Sequence, residues 1–189
     1  KKSAVAWGLD VGSSSVKAVL LEKDDKGIQI KDGFFMELEE TPARRQDASE
    51  SRKHMEPAIK KFLELKDPGG TPVWVNLDGA QTVNRFLRLP PVKDKDAIGL
   101  LNKEIESKIP IALDELCIVR WLCPGKRLPA MGRPAMVSTA RTGTIIARSS
   151  LLESMGLKLA GLQSDTIALS NFVAHEFSEI WPNTEEVRE

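Results

Sequence analysis

The sequence predicts an α/β protein built from two small subdomains of about eighty residues each. Short runs of branched apolar residues, bounded by glycine, proline and charged turns, recur along the chain as strands do. Between them lie segments whose apolar residues fall three and four apart, the spacing of helices packed on one face. An apolar share of 41%, only 5% aromatics and no tyrosine point to a core of Leu, Ile, Val and Ala.

The elements follow in order. Val5 to Val11, Val16 to Leu21 and Ile28 to Met36 read as three strands of an antiparallel meander, joined by a glycine turn and by Lys23-Asp24-Asp25-Lys26-Gly27. Glu37 to Ser51 is charged and apolar-poor, and reads as an exposed loop. The helix after it carries Met55, Ile59, Phe62 and Leu63 on one face. Pro57 fits only the first turn of a helix, so the regular helix is expected to start near Met55. Asp67-Pro68-Gly69-Gly70 ends it, and Pro72 to Leu77 is a buried strand, which completes a β-β-β-α-β unit.

The second unit follows the Asp78-Gly79 turn. Thr82 to Leu89 is a strand stopped by Pro90-Pro91. Lys93 to Ile109 is an amphipathic helix with Ile98, Leu101, Ile105 and Ile109 in line, and Asp94 or Asp96 serves as its N-cap. Leu116 to Leu122 and Ala135 to Thr139 are strands separated by a Pro/Gly/basic loop. A helix from Thr142 to Met155 ends at Gly156, a left-handed C-cap. Leu157 to Leu162 is a short strand. Ser164 caps a last helix bearing Ile167, Phe172, Val173 and Phe177, which Trp181-Pro182 ends. No sequence repeat is evident.

Composition excludes several classes. The 27 basic and 27 acidic residues cancel, which argues against a domain held to nucleic acid by bulk positive charge, because phosphate binding needs an uncompensated basic face. No apolar run approaches the ~20 residues that span a bilayer, so a membrane link must come through a partner. Lys1-Lys2-Ser3-Ala4 opens no signal peptide, because Asp10 breaks the apolar stretch, and the missing initiator Met points to a trimmed boundary. Cys117 and Cys123 would lie on one face of a strand but ~20 Å apart. With His54 and His175 remote in sequence, they read as buried or half-buried free thiols in a reducing cytoplasm. Arg44-Arg45 and Lys60-Lys61 read as solvated surface, because acids interleave them. Trp7, Trp74 and Trp121 read as core or half-buried packing on strands, and Trp181 as ambiguous.

One segment carries chemistry: Gly8-Leu9-Asp10-Val11-Gly12-Ser13-Ser14-Ser15-Val16-Lys17. A strand ends at an acid, and a tight turn then presents three hydroxyl residues before the next strand begins near a lysine. Gly12 lets the backbone approach a phosphate closely. Successive N–H groups and the hydroxyls of Ser13 and Ser14 can surround its oxygens. Asp10 can hold a hydrated Mg²⁺, and Lys17 adds a point charge. Neither a Gly-Lys-Ser/Thr ending nor a Gly-x-Gly-x-x-Gly opening a helix is present in this segment. A serine-rich β-turn with a capping aspartate is the alternative reading.

This segment, in the context of an N-terminal strand and a following hairpin, resembles the first phosphate motif of the actin-like ATPase superfamily. "GLDVGSSSVKAVLLE" is most similar to the PilM family of type IV pilus assembly proteins. "RFLRLPPVKDKDAIGLLNKEIESKIPIALDEL" and "MVSTARTGTIIARSSLLESMGLKLAGLQSDTIALSNFV" extend the resemblance over nearly the whole chain. It implies the first lobe of an actin-like (ribonuclease H-like) ATPase fold with an inserted small α/β subdomain. Residues 1–80 would form subdomain 1A, 81–163 the inserted subdomain, 164–181 a helix returning to 1A, and 182–189 a tail.

The resemblance further implies a role as a cytoplasmic adaptor, peripheral to the inner membrane. The complete protein would bind Mg-ATP and the N-terminal peptide of a PilN-like inner-membrane protein. Asp10, Gly12, Ser13, Ser14 and Lys17 would form the phosphate and magnesium face. Asp165, in "QSDTIAL", falls where the family has the Glu-Pro of its water-positioning residue. The shorter carboxylate and the missing proline count against hydrolysis, and on its own Asp165 is an acid favoured by a helix N-terminus. The second Asp-x-Gly loop and the Gly-Gly adenosine loop of the superfamily are absent. The chain therefore holds at most half an ATP site, with at most weak ATPase activity in the complete protein. Oligomerisation stays open. The alternatives are a GspL-like platform domain of type II secretion, an FtsA-like division protein, or a kinase of the same superfamily. The intact Asp10-x-Gly12-Ser13 favours PilM over GspL, and no acid or histidine cluster suits a kinase.

Overall fold

The computed structural model describes residues 4–38, 48–90, 92–122 and 132–177. It contains eight strands and four helices among them: β1 (Ala4–Val11), β2 (Ser15–Asp24), β3 (Gly27–Glu37), α1 (Ala48–Lys66), β4 (Val73–Leu77), β5 (Thr82–Leu89), α2 (Asp94–Lys108), β6 (Leu116–Leu122), β7 (Arg133–Arg141), α3 (Thr142–Ser154), β8 (Leu159–Ser164) and α4 (Asp165–Glu176). These elements divide into two compact units, residues 1–76 with 148–163, and residues 77–147 with 164–189.

The first unit is a five-stranded sheet in the order β3-β2-β1-β4-β8. The expected meander is present, with β1–β2 and β2–β3 antiparallel, and α1 is the crossover that brings β4 back parallel to β1. Alternation along β1 buries Trp7, Leu9 and Val11 on one face, where they meet Val73 and Val75 of β4 and Ala58, Ile59 and Phe62 of α1. Phe62 is fully buried and meets Trp7 edge-to-face at 5.1 Å and Phe34 at 5.4 Å. This aromatic trio fixes α1 on the sheet.

The start of α1 differs from expectation. The helix begins at Ala48, so Pro57 lies inside it rather than in its first turn. An interior proline forfeits one backbone bond and costs about 3 kcal/mol. Immediately after it Ala58, Ile59 and Phe62 are fully buried, and side chains such as the last two contribute about 1.5–3 kcal/mol each. Packing outweighs the proline. The helix then stops at Asp67, which adopts a left-handed φ of 37°.

The second unit is an antiparallel sheet in the order β5-β7-β6 with α2 on one face. Its core is Leu89, Ala97, Leu101, Ile105, Ile109, Leu116, Ala135 and Val137. No side chain caps α2: its N-cap is Lys93, and Asp96 lies inside the first turn instead, where the helix dipole favours an acid. Gly156 has the expected left-handed φ of 90°.

The boundaries of the units differ from the expected ones. β8 runs to Ser164 and joins the edge of the first sheet, so residues 148–163 belong with the first unit and not with the inserted subdomain. α4 groups with the second unit rather than returning to the first. Sequence adjacency suggested the opposite, but strand pairing and hydrogen bonds across 80 residues or more decide membership.

Several single residues also depart from expectation. Cys117 is exposed rather than buried, because it lies on the face of β6 away from α2. Trp74 and Trp121 are 49% and 48% exposed, whereas Trp7 is buried. Lys60 and Lys61 are on the solvated face of α1, as expected, and His175 is exposed in the last turn of α4 beside Glu176. Arg44, Arg45, Cys123, Trp181 and the tail lie outside the described residues, and His54 falls within α1.

Candidate functional site

The strand pairing assembles the phosphate turn. Asp10 and Lys17 are direct cross-strand partners in the β1–β2 register, and Lys17 Nζ lies 3.6 Å from Asp10 Oδ2. Both side chains are about half exposed, so their attraction is weak and each stays available to a ligand. The Gly12 N–H donates to the Ser15 carbonyl at 3.0 Å, closing the turn. A Cβ at Gly12 would stand 3.2 Å from that same oxygen, which is why the position suits glycine. Leu38 N–H donates to the Ser14 carbonyl and ties β3 to the turn. Ser15 is buried, while Ser13 and Ser14 are exposed at the tip. Asp10, Gly12, Ser13, Ser14 and Lys17 thus belong to one hairpin.

Asn76 belongs to the same site and was not anticipated. Its Oδ1 accepts the Val11 N–H at 2.8 Å, fixing the end of β1 just beyond Asp10. β1 and β4 run parallel, so Asp10 and Asn76 stand at the carboxyl ends of neighbouring parallel strands, where open α/β sheets bind ligands. The signal was a polar residue inside the apolar run "VWVNL".

Asp165 is part of the second unit. Its Oδ2 accepts the Gly79 N–H at 3.0 Å and its Oδ1 accepts the Thr166 N–H at 2.7 Å. The carboxylate therefore fastens the start of α4 to the Asp78-Gly79 turn. Ser164 occupies the N-cap position but makes no capping bond. Its hydroxyl instead accepts from Asn84 Nδ2 at 2.9 Å and lies 3.1 Å from Thr82 Oγ1. Among the described residues no cluster of three His, Cys, Asp or Glu could hold a metal ion. A hydrated Mg²⁺ needs few protein carboxylates, and Asp10 beside the exposed serines and the close-packed Gly12 fits such an ion and its phosphates.

The second unit also carries an apolar groove of about 790 Å³. Phe86, Met136 and Trp121 form one cross-strand row on the face of the sheet away from α2, and Ile167, Val173 and Ala174 of α4 line the other side. Phe86 is 71% exposed. Sequence periodicity did not single out this row, because alternation with arginines looks the same whether the apolar face meets a core or a partner.

No protein-family model matches the chain, and no curated protein sequence matches it. Among solved structures, the chain is similar to a PilM-PilN type IV pilus biogenesis complex, with a TM-score of 0.70 at 20% identity over 92% of this chain and 51% of the other. It is also similar to the cytoplasmic domain of EpsL, an inner-membrane component of the type II secretion system of Vibrio cholerae, with a TM-score of 0.56 at 10% identity over 84% of this chain and 57% of the other. The chain spans about half the length of each of these structures. It has the fold of the first lobe of an actin-like protein, and it is PilM-like in that fold.

Proposed function

We propose that the protein is an actin-like adaptor of type IV pilus assembly that binds the N-terminal peptide of a PilN-like inner-membrane partner, and Mg-ATP once the complete protein supplies the rest of the site. The observation that carries this reading is the apolar groove of Phe86, Trp121, Met136 and α4 in a chain with the PilM fold. A row of two exposed aromatic side chains flanking a half-buried methionine beside a helix is an apolar docking surface for a short peptide. Attachment to the membrane would follow from the partner, as no described helix is long and apolar enough to cross one.

Toward nucleotide, Gly12, Ser13 and Ser14 would present N–H groups and hydroxyls to phosphate oxygens. Lys17 would neutralise charge, and Asp10 would hold the water shell of a magnesium ion. The metal, when bound, would supply further charge neutralisation at the phosphates. The intact Asp10-x-Gly12-Ser13 turn favours this over a GspL-like secretion platform.

The test is a calorimetric titration of the folded chain with the cytoplasmic N-terminal peptide of its PilN-like genomic neighbour, with a scrambled peptide as control. Saturable binding that Trp121→Ala weakens by about tenfold or more supports the reading, since buried aromatic anchors carry that much binding energy. Absence of binding by a chain with native circular dichroism counts against a groove within these residues.

A further inference from the structure

Among the described residues, the second unit keeps an open sheet edge. β5 ends the order β5-β7-β6, and the consecutive residues Arg85 and Phe86, which point to opposite faces, are both exposed. α2 is fastened toward the other edge: Arg120 of β6 donates through Nε and Nη2 to Asn102 Oδ1 at 3.1 and 2.7 Å. The helix accordingly half-buries Ile118, Arg120 and Leu122 of β6, while Val83 and Arg85 of β5 stay exposed on the same face.

What remains beside β5 is a cleft of about 140 Å³. Its wall is apolar, with Leu87, Ile105, Ile109 and Val137. Its rim is charged, with Arg85 and Lys108 against the single acid Glu104. Of the residues that line this cleft, Phe86 alone also lines the Phe86–Trp121 groove, which lies on the opposite face of the sheet.

An edge strand presents unpaired backbone N–H and C=O groups, and an added strand satisfies them. Side chains of the added strand alternate between faces, so every second one would meet the α2 face. We propose that the β5 edge takes an extended peptide strand from a protein partner, with one apolar side chain in the cleft and an acidic side chain two residues away facing Arg85 and Lys108. The excess of cations on the rim selects the acid. It also disfavours a second copy of this strand, which would set Arg85 and Arg88 against their own counterparts. The assignment is independent of the pilus reading.

Panning the chain against a display library of random octapeptides tests it. The expected peptides carry Val, Ile or Leu with Asp or Glu two residues away on the same face, and on binding they slow amide hydrogen exchange over residues 82–89. Arg85→Glu, a surface change whose fold circular dichroism checks, is expected to weaken them by about tenfold or more. Glu104→Gln tightens them, and Trp121→Ala leaves them unchanged. The proposal is overturned if no such peptides are enriched, if Arg85→Glu leaves binding intact, or if protection falls elsewhere. Self-association of the chain that Arg85→Glu abolishes, seen by analytical ultracentrifugation, would overturn it in favour of a second copy.

Discussion

At the scale of single residues, close approach decides more than polarity does. Trp74 lies on β4 with its indole over Gly161 of β8, where an added Cβ would stand 2.5 Å from the ring. No rotation of the alanine methyl relieves that, so Gly161→Ala must displace the tryptophan. We expect a loss of about 1–3 kcal/mol, the range for overpacking, with a shifted tryptophan emission, and most of the loss should vanish in a Trp74→Ala background. A Gly161→Ala chain as stable as the parent in urea would show that the ring is not held there. Asp10 behaves oppositely. Because its described partner is the exposed Lys17, Asp10→Asn should leave the urea midpoint almost unchanged, yet, on the proposed nucleotide reading, abolish magnesium-dependent nucleotide binding in the complete protein. A fluorescent nucleotide titration reads that difference. The Asp10-to-Lys17 hairpin was legible in the sequence because glycine and serine punctuate it. Asn76 was not, since a polar residue inside "VWVNL" does not reveal that its amide caps the neighbouring strand.

Elements were read well where periodicity and punctuation agree. β5 and β6 have the expected bounds, and α3 starts at the expected residue. They were read poorly where a tertiary contact overrides a local preference, as in α1, which continues through Pro57 because the residues beyond it are anchored in the core. The last turn of the same helix is tied to the sheet. Lys66 Nζ contacts Asp32 Oδ1 at 2.6 Å, beside the register shift that offsets β2 from β3. That bond holds the Asp32 carboxyl below its ordinary value of 3.8, with the Gly33 N–H adding to the effect. A group lowered in the folded state stabilises above its unfolded value, and the contribution is lost as pH falls through the folded one. The stability difference between the parent and Asp32→Asn should therefore be constant near neutrality and shrink below about pH 4. Lys31 has the opposite sign: Glu22 raises it, so its contribution is present below 10.5 and lost only in stronger alkali. Urea midpoints at pH 7 and pH 3 for the parent and Asp32→Asn check the acid limb. An unchanged difference would show that the Lys66 bond does not persist in solution.

At the scale of the whole molecule, two hydrophobic cores with no residue in common account for the two units. The fold class followed from the sequence because alternation and helical spacing are local. The assignment of β8 and α4 did not, because it depends on which edge a strand joins and on the Asp165–Gly79 and Ser164–Asn84 bonds across the chain. Separate cores make a specific demand on local stability. Phe62 is fully buried against Trp7 and Phe34, so Phe62→Ala should cost about 3–5 kcal/mol, the range for emptying a packed aromatic site. Leu101 is fully buried in the other core, and Leu101→Ala should cost about 2–5 kcal/mol. Since the cores share no side chain, each loss should fall first on its own unit. Under native conditions Phe62→Ala should speed amide hydrogen exchange in β1, β2 and β4 while α2 and β7 keep their protection, and Leu101→Ala should do the reverse. Equal acceleration of every strand by either substitution would mean that the two cores open as one cooperative body, and a ligand held by one unit would then stabilise both alike.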